Sequence, residues 1–321
     1  MLRILRPVSS ATRRISASID PLSHSGKVST VGVLVRAAPG WQEFWKVFPE
    51  AMAELGYVEG KNIRYVLRSD EGDMNRLPAL AAELVRLKVD VIVPWFTPAA
   101  TAAKQATHDI PIVCAQCGDL VDEGFIESLA RPGGNMTGNS GLGAELDGKC
   151  VELIREIIPS AHRVAALANA QDPFSKSFLK FIQLAGDATG TTIDRILIHD
   201  PSEVDAALAA MDKQRPDAVI VQPSLPTKRV AGLAIAHRLP TASHFRQFAV
   251  EGGLLAFFTV ADAVYQRTAA LVDKILKGAQ PAVLPAERPT KFKLLINLRT
   301  AKAIGLTIPP SMLARADEVI E

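Results

Sequence analysis

Residues 89–98 read Val89-Asp90-Val91-Ile92-Val93-Pro94-Trp95-Phe96-Thr97-Pro98. Val89–Val93 is a short, β-branched run, the pattern of a strand covered on both faces of a sheet. Thr97 then supplies a helix N-cap and Pro98 the first helical position. A strand running straight into a helix is half of a βα unit, and the same unit recurs on both sides. Upstream, Val31–Val35 reads as a first buried strand. A helix follows through Phe48, Met52 and Leu55, stopped by Gly56, with Pro49 expected in its first turn because an interior proline costs about 3 kcal/mol. Ile63, Tyr65 and Leu67 alternate as a second strand, and Leu77, Leu80, Leu84 and Leu87 repeat at helical spacing. Downstream, Pro111–Cys114 makes a fourth strand.

Arg131-Pro132-Gly133-Gly134-Asn135 is a breaker cluster that reads as a linker. After it the alternation restarts. A helix is expected over Glu145–Ile158, with strands at Arg163–Ala168, Ile193–Ile198, Ala218–Val221 and Leu254–Phe258 and a short one near Pro240. Ala261–Lys277 reads as a long helix, Phe292–Ile296 as a last strand and Thr300–Ile304 as a short helix closed by Gly305. The chain is therefore α/β, with two successive βα layers whose parallel sheets are covered on both faces. Its 321 residues suit two domains. In such sheets ligands bind beyond the carboxyl ends of the strands, and between two facing domains the ligand sits in the cleft.

Composition narrows the function without naming it. Apolar residues make up 48% and the net charge is +2, which argues against a nucleic-acid coat. The longest apolar run, Ala206–Met211, is far short of the roughly 20 residues of a membrane span. The charge is uneven: residues 1–27 carry +4 and the remainder −2. This Arg- and Ser-rich opening has no apolar core like that of a secretory signal and reads as a disordered leader. The three cysteines are too few for a disulfide framework, and strand alternation would turn Cys114 and Cys117 to opposite faces. The six histidines show no metal-ligand spacing. Gly141-Leu142-Gly143 follows a loop rather than a strand, and Gly138-Asn139-Ser140-Gly141 lacks the spacing of a nucleophile elbow. No nucleophile, metal or cofactor signature points to an enzyme.

Candidate contacts come from the strand ends: Pro39, Gly40 and Trp41, then Trp95, Phe96 and Thr97, then Gly118 and Asp119. The second layer adds Asn169, Gln222-Pro223-Ser224 and His244-Phe245-Arg246. Thr97 and the free amides of the helix it opens suit a carboxylate. Arg246 adds a possible bidentate contact. Trp41, Trp95, Phe96 and Phe257 are expected to wall an apolar pocket.

Longer phrases carry a resemblance. They include Glu54-Leu55-Gly56-Tyr57-Val58-Glu59-Gly60-Lys61-Asn62, Arg76-Leu77-Pro78-Ala79-Leu80-Ala81-Ala82-Glu83-Leu84-Val85 and Ser128-Leu129-Ala130-Arg131-Pro132-Gly133-Gly134-Asn135. Asp273-Lys274-Ile275-Leu276-Lys277-Gly278 and Ala316-Asp317-Glu318-Val319-Ile320 complete the set. From about Val31 to its end the chain resembles the ABC-transporter substrate-binding proteins of the tryptophan/tyrosine uptake type. The resemblance implies a type I periplasmic binding protein fold: two Rossmann-like lobes joined by three crossover strands. Lobe 1 would hold residues 28–138 and 258–288, and lobe 2 residues 139–257 and 289–321. The chain would cross near Asn139, Phe258 and Pro289.

The implied function is the solute-binding component of an ABC importer, a monomer that captures a small carboxylate, either an amino acid or an aromatic acid. The implied partners are that ligand and a membrane permease, with no cofactor, metal or nucleic acid, and the implied location is the periplasm. Trp41, Phe96, Thr97, Asp119, Asn169, Ser224, Arg246 and Phe257 are the expected ligand contacts. The chain departs from many relatives at Pro223-Ser224, where they have Asp-Pro, and at Ser243 and Phe257, where they have Tyr. Cys114 and Cys117 stand where small apolar residues are usual. The missing aspartate weakens the case for an α-ammonium ligand, with Asp119 as the substitute. The alternative is a ligand-sensing domain that stays in the cytoplasm; residues 1–27 are too short for a DNA-reading headpiece.

Overall fold

The computed structural model describes residues 28–38 and 40–321; the expected leader over residues 1–27, and Pro39, lie outside them. The chain begins with β1 (Ser29–Val35), α1 (Trp41–Glu54), β2 (Ile63–Ser69), α2 (Leu77–Arg86), β3 (Val91–Trp95), α3 (Thr97–Ala106), β4 (Ile112–Cys114) and β5 (Met136–Gly138). Their five strands form one parallel sheet in the order β2-β1-β3-β4-β5. Next come α4 (Gly143–Ile157), β6 (Arg163–Asn169), α5 (Ser175–Thr189), β7 (Thr192–Ile198), α6 (Val204–Gln214), β8 (Ala218–Val221), α7 (Thr227–Ala236), β9 (Thr241–Ser243) and α8 (Arg246–Val250). The last elements are β10 (Leu255–Thr259), α9 (Ala261–Leu276), β11 (Phe292–Asn297), α10 (Leu298–Ile304), α11 (Pro310–Leu313) and β12 (Glu318–Ile320). The second sheet runs β12-β11-β10-β9-β8-β6-β7 and is parallel except between β10 and β11.

Each sheet buries both faces, as its continuous apolar strands require. In the first, Val31, Val33, Val91 and Val93 pack with Phe44 and Phe48 of α1 and Val272 of α9, while Leu34 and Ile92 pack with Leu84 of α2 and Ala103 of α3. In the second, Val164 and Ile220 face Ile154 of α4 and Phe178 of α5, while Val219 and Val221 face Leu208 of α6 and Val230 of α7. The chain leaves the first sheet after β5, where Asn139 pairs with Glu287. It returns between β10 and α9, and crosses again between Glu287 and β11.

Four expectations change. The 131–135 cluster is no linker between lobes; it leads into β5, with Asn135 tied to Thr107, Ile110 and Lys104 at 2.9–3.1 Å. Pro49 lies inside α1 rather than in its first turn, because the helix starts at Trp41 after Gly40 at φ +93°. Burial of Phe44, Phe48 and Met52 offsets the backbone bond that the proline removes. The third strand, expected over Val89–Val93, runs from Val91 to Trp95.

Finally, Cys114 and Cys117 share a face. Register runs Ile92 to Ile112 but Trp95 to Gln116, so the segment after β4 carries one extra residue, a bulge that resets the alternation. Both cysteines join the cluster of Leu34 and Leu120, whereas Ala115 packs on the opposite face and Gln116 accepts from Tyr265 of α9 at 2.7 Å. Burial, and the neighbouring Cys114 thiol, push the Cys117 thiol well up.

Candidate functional site

A cavity of about 50 Å³ lies where the carboxyl ends of the two sheets face each other. The first lobe contributes Phe96, Thr97, Gln116, Cys117 and Gly118, the crossover contributes Gly141–Gly143, and the second lobe contributes Asp172, Phe174, Ser224 and His244. A larger opening of about 470 Å³, lined by Arg36, Asn75, Asn169 and Ser224, continues the cleft to one side. Its buried cation is already answered, since Arg36 pairs with Asp70 at 3.2 Å. The smaller, apolar-walled cavity is the stronger candidate for a specific ligand.

On the first lobe the site is mostly backbone. Phe96 sits at φ +73°, ψ 156°, a conformation that costs an aromatic residue of order 1–3 kcal/mol. Its N–H donates to Gln116 at 2.8 Å and its carbonyl accepts from Ala100 at 3.1 Å. Its ring stacks on Trp95 at 4.0 Å and meets Phe245 of the other lobe edge-on at 5.8 Å. This strained step turns β3 directly into α3, so that the first turn of α3 opens on the cavity. Pro98 has no N–H, which leaves Thr97 and Ala99 as that turn's leading donors. The buried Thr97 hydroxyl accepts from Gly118 N–H at 2.9 Å and keeps its own proton to donate. A Cβ on Gly118 would come within 3.0 Å of the Phe174 ring and 3.3 Å of Thr97 Oγ1, so a side chain here would push the two walls a few tenths of an ångström apart.

On the second lobe the site is built from side chains with supports behind them. Asp172 follows β6 and is 4% exposed. Its carboxylate accepts from Phe174 N–H at 3.0 Å and from Gln222 Nε2 at 2.8 Å. Gln222, wholly buried after β8, in turn accepts from Asn169 N–H at 2.7 Å, so one amide braces two strand ends. Burial pushes the Asp172 carboxyl up against the pull of Ser224, Phe174 N–H, Arg36 and Gln222. The Ser224 hydroxyl is buried without a hydrogen bond of good geometry, although it lies near enough to favour the carboxylate. After β9, His244 is held through its backbone N–H and Nδ1 by the two oxygens of Asp147, at 3.0 and 2.6 Å.

The lobes touch around this cavity. Ser177 donates to Glu123 at 2.9 Å and Lys180 pairs with Asp122 at 3.2 Å, both across the cleft. Burial raises the Glu123 carboxyl, and the charges of Asp172 and Asp122 raise it further against the Ser177 hydrogen bond.

The sequence-expected contacts separate into groups. Phe96, Thr97 and Ser224 line the cavity together. Asn169 lines the larger opening and turns its side chain back to Gln171 N–H at 3.0 Å. Asp119 is spent on Arg288 and on the amides of Val121 and Asp122. Arg246 pairs with Glu318 at 2.8 Å in a neighbouring groove. Trp41 packs against the aromatic core of α1, and Phe257 faces the α4 side of its sheet, stacked on Phe292 at 6.1 Å. Asp172 and Asp147 were not among the candidate contacts, and His244 was named at its strand end without being carried into the expected set. The available signals were Asp172-Pro173 shortly after a buried strand, and His244 directly after another.

Residues 30–320 match the family described as ABC transporter substrate binding protein. The chain belongs to that family. Its two parallel-sheet lobes are the type I periplasmic binding protein fold. A curated relative, the Tyrosine-binding protein of Clostridioides difficile (strain R20291), is 25% identical over 273 residues, covering 84% of this chain and 78% of that protein. The structure of an ABC domain from Streptococcus pneumonia in complex with L-Trp superposes with TM-score 0.85 at 25% identity, covering 92% of this chain and 100% of that one. A conserved domain protein of Vibrio cholerae O1 biovar El Tor gives TM-score 0.86, also at 25% identity, over 91% and 100%. Within this substrate-binding family the cavity described above is therefore the place to look for the solute. Among the described residues no helix is long and apolar enough to cross a membrane, and no group of three His, Cys, Asp or Glu could hold a metal ion.

Proposed function

We propose that this substrate-binding protein captures a small aromatic α-amino acid between its lobes and delivers it to the membrane permease of an ABC importer, working in the periplasm as a monomer. The observation that carries the reading is Asp172: a carboxylate buried in an otherwise apolar-walled cavity, with no ion pair to it among the described residues and its nearest cation, Arg36, paired to Asp70. A buried charge of this kind calls for a counter-charge, and an α-ammonium group supplies it. The ligand's carboxylate would lie at the opposite wall, on Thr97 and the first turn of α3. There the helix dipole adds about 0.3–1 kcal/mol, and the amides and hydroxyl supply charge-assisted hydrogen bonds. Phe96 and Phe174 would flank the ring. The tyrosine-binding relative and the L-Trp complex are consistent with this class of solute. The sequence had weakened the amino-acid case for want of a carboxylate, and Asp172 supplies one from another strand end.

Titration calorimetry with L-tyrosine, L-tryptophan and 3-(4-hydroxyphenyl)propionate, which lacks the ammonium group, tests the reading. The two amino acids are expected to bind and to raise the unfolding temperature, by mass action on the folded state. The propionate should bind far more weakly. If neither amino acid binds, or if the propionate binds as tightly, the reading falls.

A further inference from the structure

His244 has one ring nitrogen committed and one open. Nδ1 lies 2.6 Å from Asp147 Oδ2, and the backbone N–H of the same residue donates to Oδ1 at 3.0 Å. Asp147 is fully buried on α4. Phe174 packs edge-on against the imidazole at 5.6 Å. A Cβ on residue 143 would lie 2.7 Å from Nε2, so glycine there makes room for the ring. Among the described residues no group hydrogen-bonds Nε2, and the imidazole lines the cavity.

A carboxylate on Nδ1 keeps a proton there whether the ring is neutral or charged. That leaves Nε2, which no described group hydrogen-bonds, as the ring nitrogen available to a ligand on the cavity side. A neutral ring offers Nε2 as an acceptor; a charged ring offers it as a donor. We infer that Nε2 of His244, fixed as an acceptor by Asp147, selects aromatic amino acids that carry a ring O–H or N–H donor, a phenol or an indole, over those that carry none. The inference rests on the amino-acid reading given above. Asp147 is a positioning residue, since it acts only through His244.

The other charged groups around the imidazole come from several elements. Asp172 shares its cavity. On its other side a groove is lined by Glu43 of α1 and Asp262 of α9, with Arg246 and Lys293 both paired to Glu318. These groups bear equally on any amino acid, so the ratio of two affinities cancels them and also cancels titration of Asp172.

The test is the ratio of L-tyrosine to L-phenylalanine affinity, measured by calorimetry. For the wild-type protein the ratio should be about tenfold, the worth of one good hydrogen bond. Asp147→Asn sharpens the test. The amide oxygen must stay on the backbone N–H of His244, which turns the amide NH2 towards Nδ1 and moves the ring proton to Nε2. The preference for tyrosine should then vanish. Equal binding of tyrosine and phenylalanine to the wild type overturns the inference and leaves the proposed function standing. Failure of both amino acids to bind overturns the two together. The wild-type ratio needs no variant, so a poorly folding Asp147→Asn protein does not shelter the claim.

Discussion

The first-lobe wall of the cleft meets the cavity with the first turn of α3, the Thr97 hydroxyl and Gly118, none of which carries a formal charge. The second-lobe wall meets it with Asp172 and His244, each gripped from behind by a second buried group, Gln222 or Asp147. Peptide groups hold their dipoles at any ordinary pH, whereas the charge on Asp172, whose carboxyl burial pushes up, depends on pH. One wall is thus suited to a constant feature of the solute, its carboxylate, and the other to features that vary, its cationic and ring-borne groups. If the contrast holds, variants on the second wall should change which solute binds and how binding responds to pH. Variants on the first should lower affinity for all solutes alike.

The largest effect is expected from Asp172→Asn. Removing one partner of a buried charge pair costs about 2–5 kcal/mol, so affinity for L-tyrosine should fall by about 30-fold or more. Affinity for 3-(4-hydroxyphenyl)propionate should hold or improve, because the buried negative charge is gone. Calorimetry reads both, and a uniform loss would erase the distinction between the walls. Gln222→Leu comes next. It leaves Asp172 Oδ2 and the Asn169 amide without their partner, and unsatisfied buried groups cost about 1–3 kcal/mol each. Denaturant unfolding should show a loss in that range, with amino-acid affinity falling about tenfold.

Much of the scaffold was legible because it rests on local pattern. Val91–Val93 and Ala218–Val221 are apolar runs that suit a covered strand, and Thr97-Pro98 marks a helix start, although Phe96 rather than Thr97 is its N-cap. The short edge strands were not legible. Met136-Thr137-Gly138 has three residues after a breaker cluster, and it becomes a strand only because β4 offers it a partner. Glu318–Ile320 depends on β11 in the same way. For the site, the strand-end rule found Phe96, Thr97, Gly118, Ser224 and His244. It could not find Asp172, which reads as an ordinary turn acid until burial isolates it. Nor could it show that Arg246 and Asp119 are already paired, because Glu318 and Arg288 lie 72 and 169 residues away in sequence. Asp147 and His244 are likewise 97 residues apart, and nothing local links them.

Thr97→Val tests the uncharged wall. It removes the acceptor for Gly118 N–H and one donor to the solute carboxylate. The expected cost is about 1 kcal/mol of stability and about tenfold in affinity. The affinity loss should be equal for tyrosine, phenylalanine and the propionate, since all three carry the carboxylate. A loss confined to one of them would mean that the first wall also discriminates.

The smallest effect concerns Glu123, a first-lobe carboxyl that reaches across to Ser177. Its carboxyl is raised, chiefly by burial, so near its transition the folded protein binds more protons than the unfolded chain. Stability then rises as pH falls through the raised value towards the ordinary carboxyl value, and the unfavourable term is fully present only above the raised value. Glu123→Gln keeps a group able to accept from Ser177 but cannot ionise. The difference in denaturant midpoint between variant and wild type should therefore favour the variant near neutral pH and shrink as the solution is acidified. A difference that grows on acidification would mean that the Ser177 hydrogen bond outweighs desolvation at Glu123. That carboxylate would then be a favourable charge at the closing edge of the cleft, and the first lobe would carry a charged, pH-sensitive contact of its own.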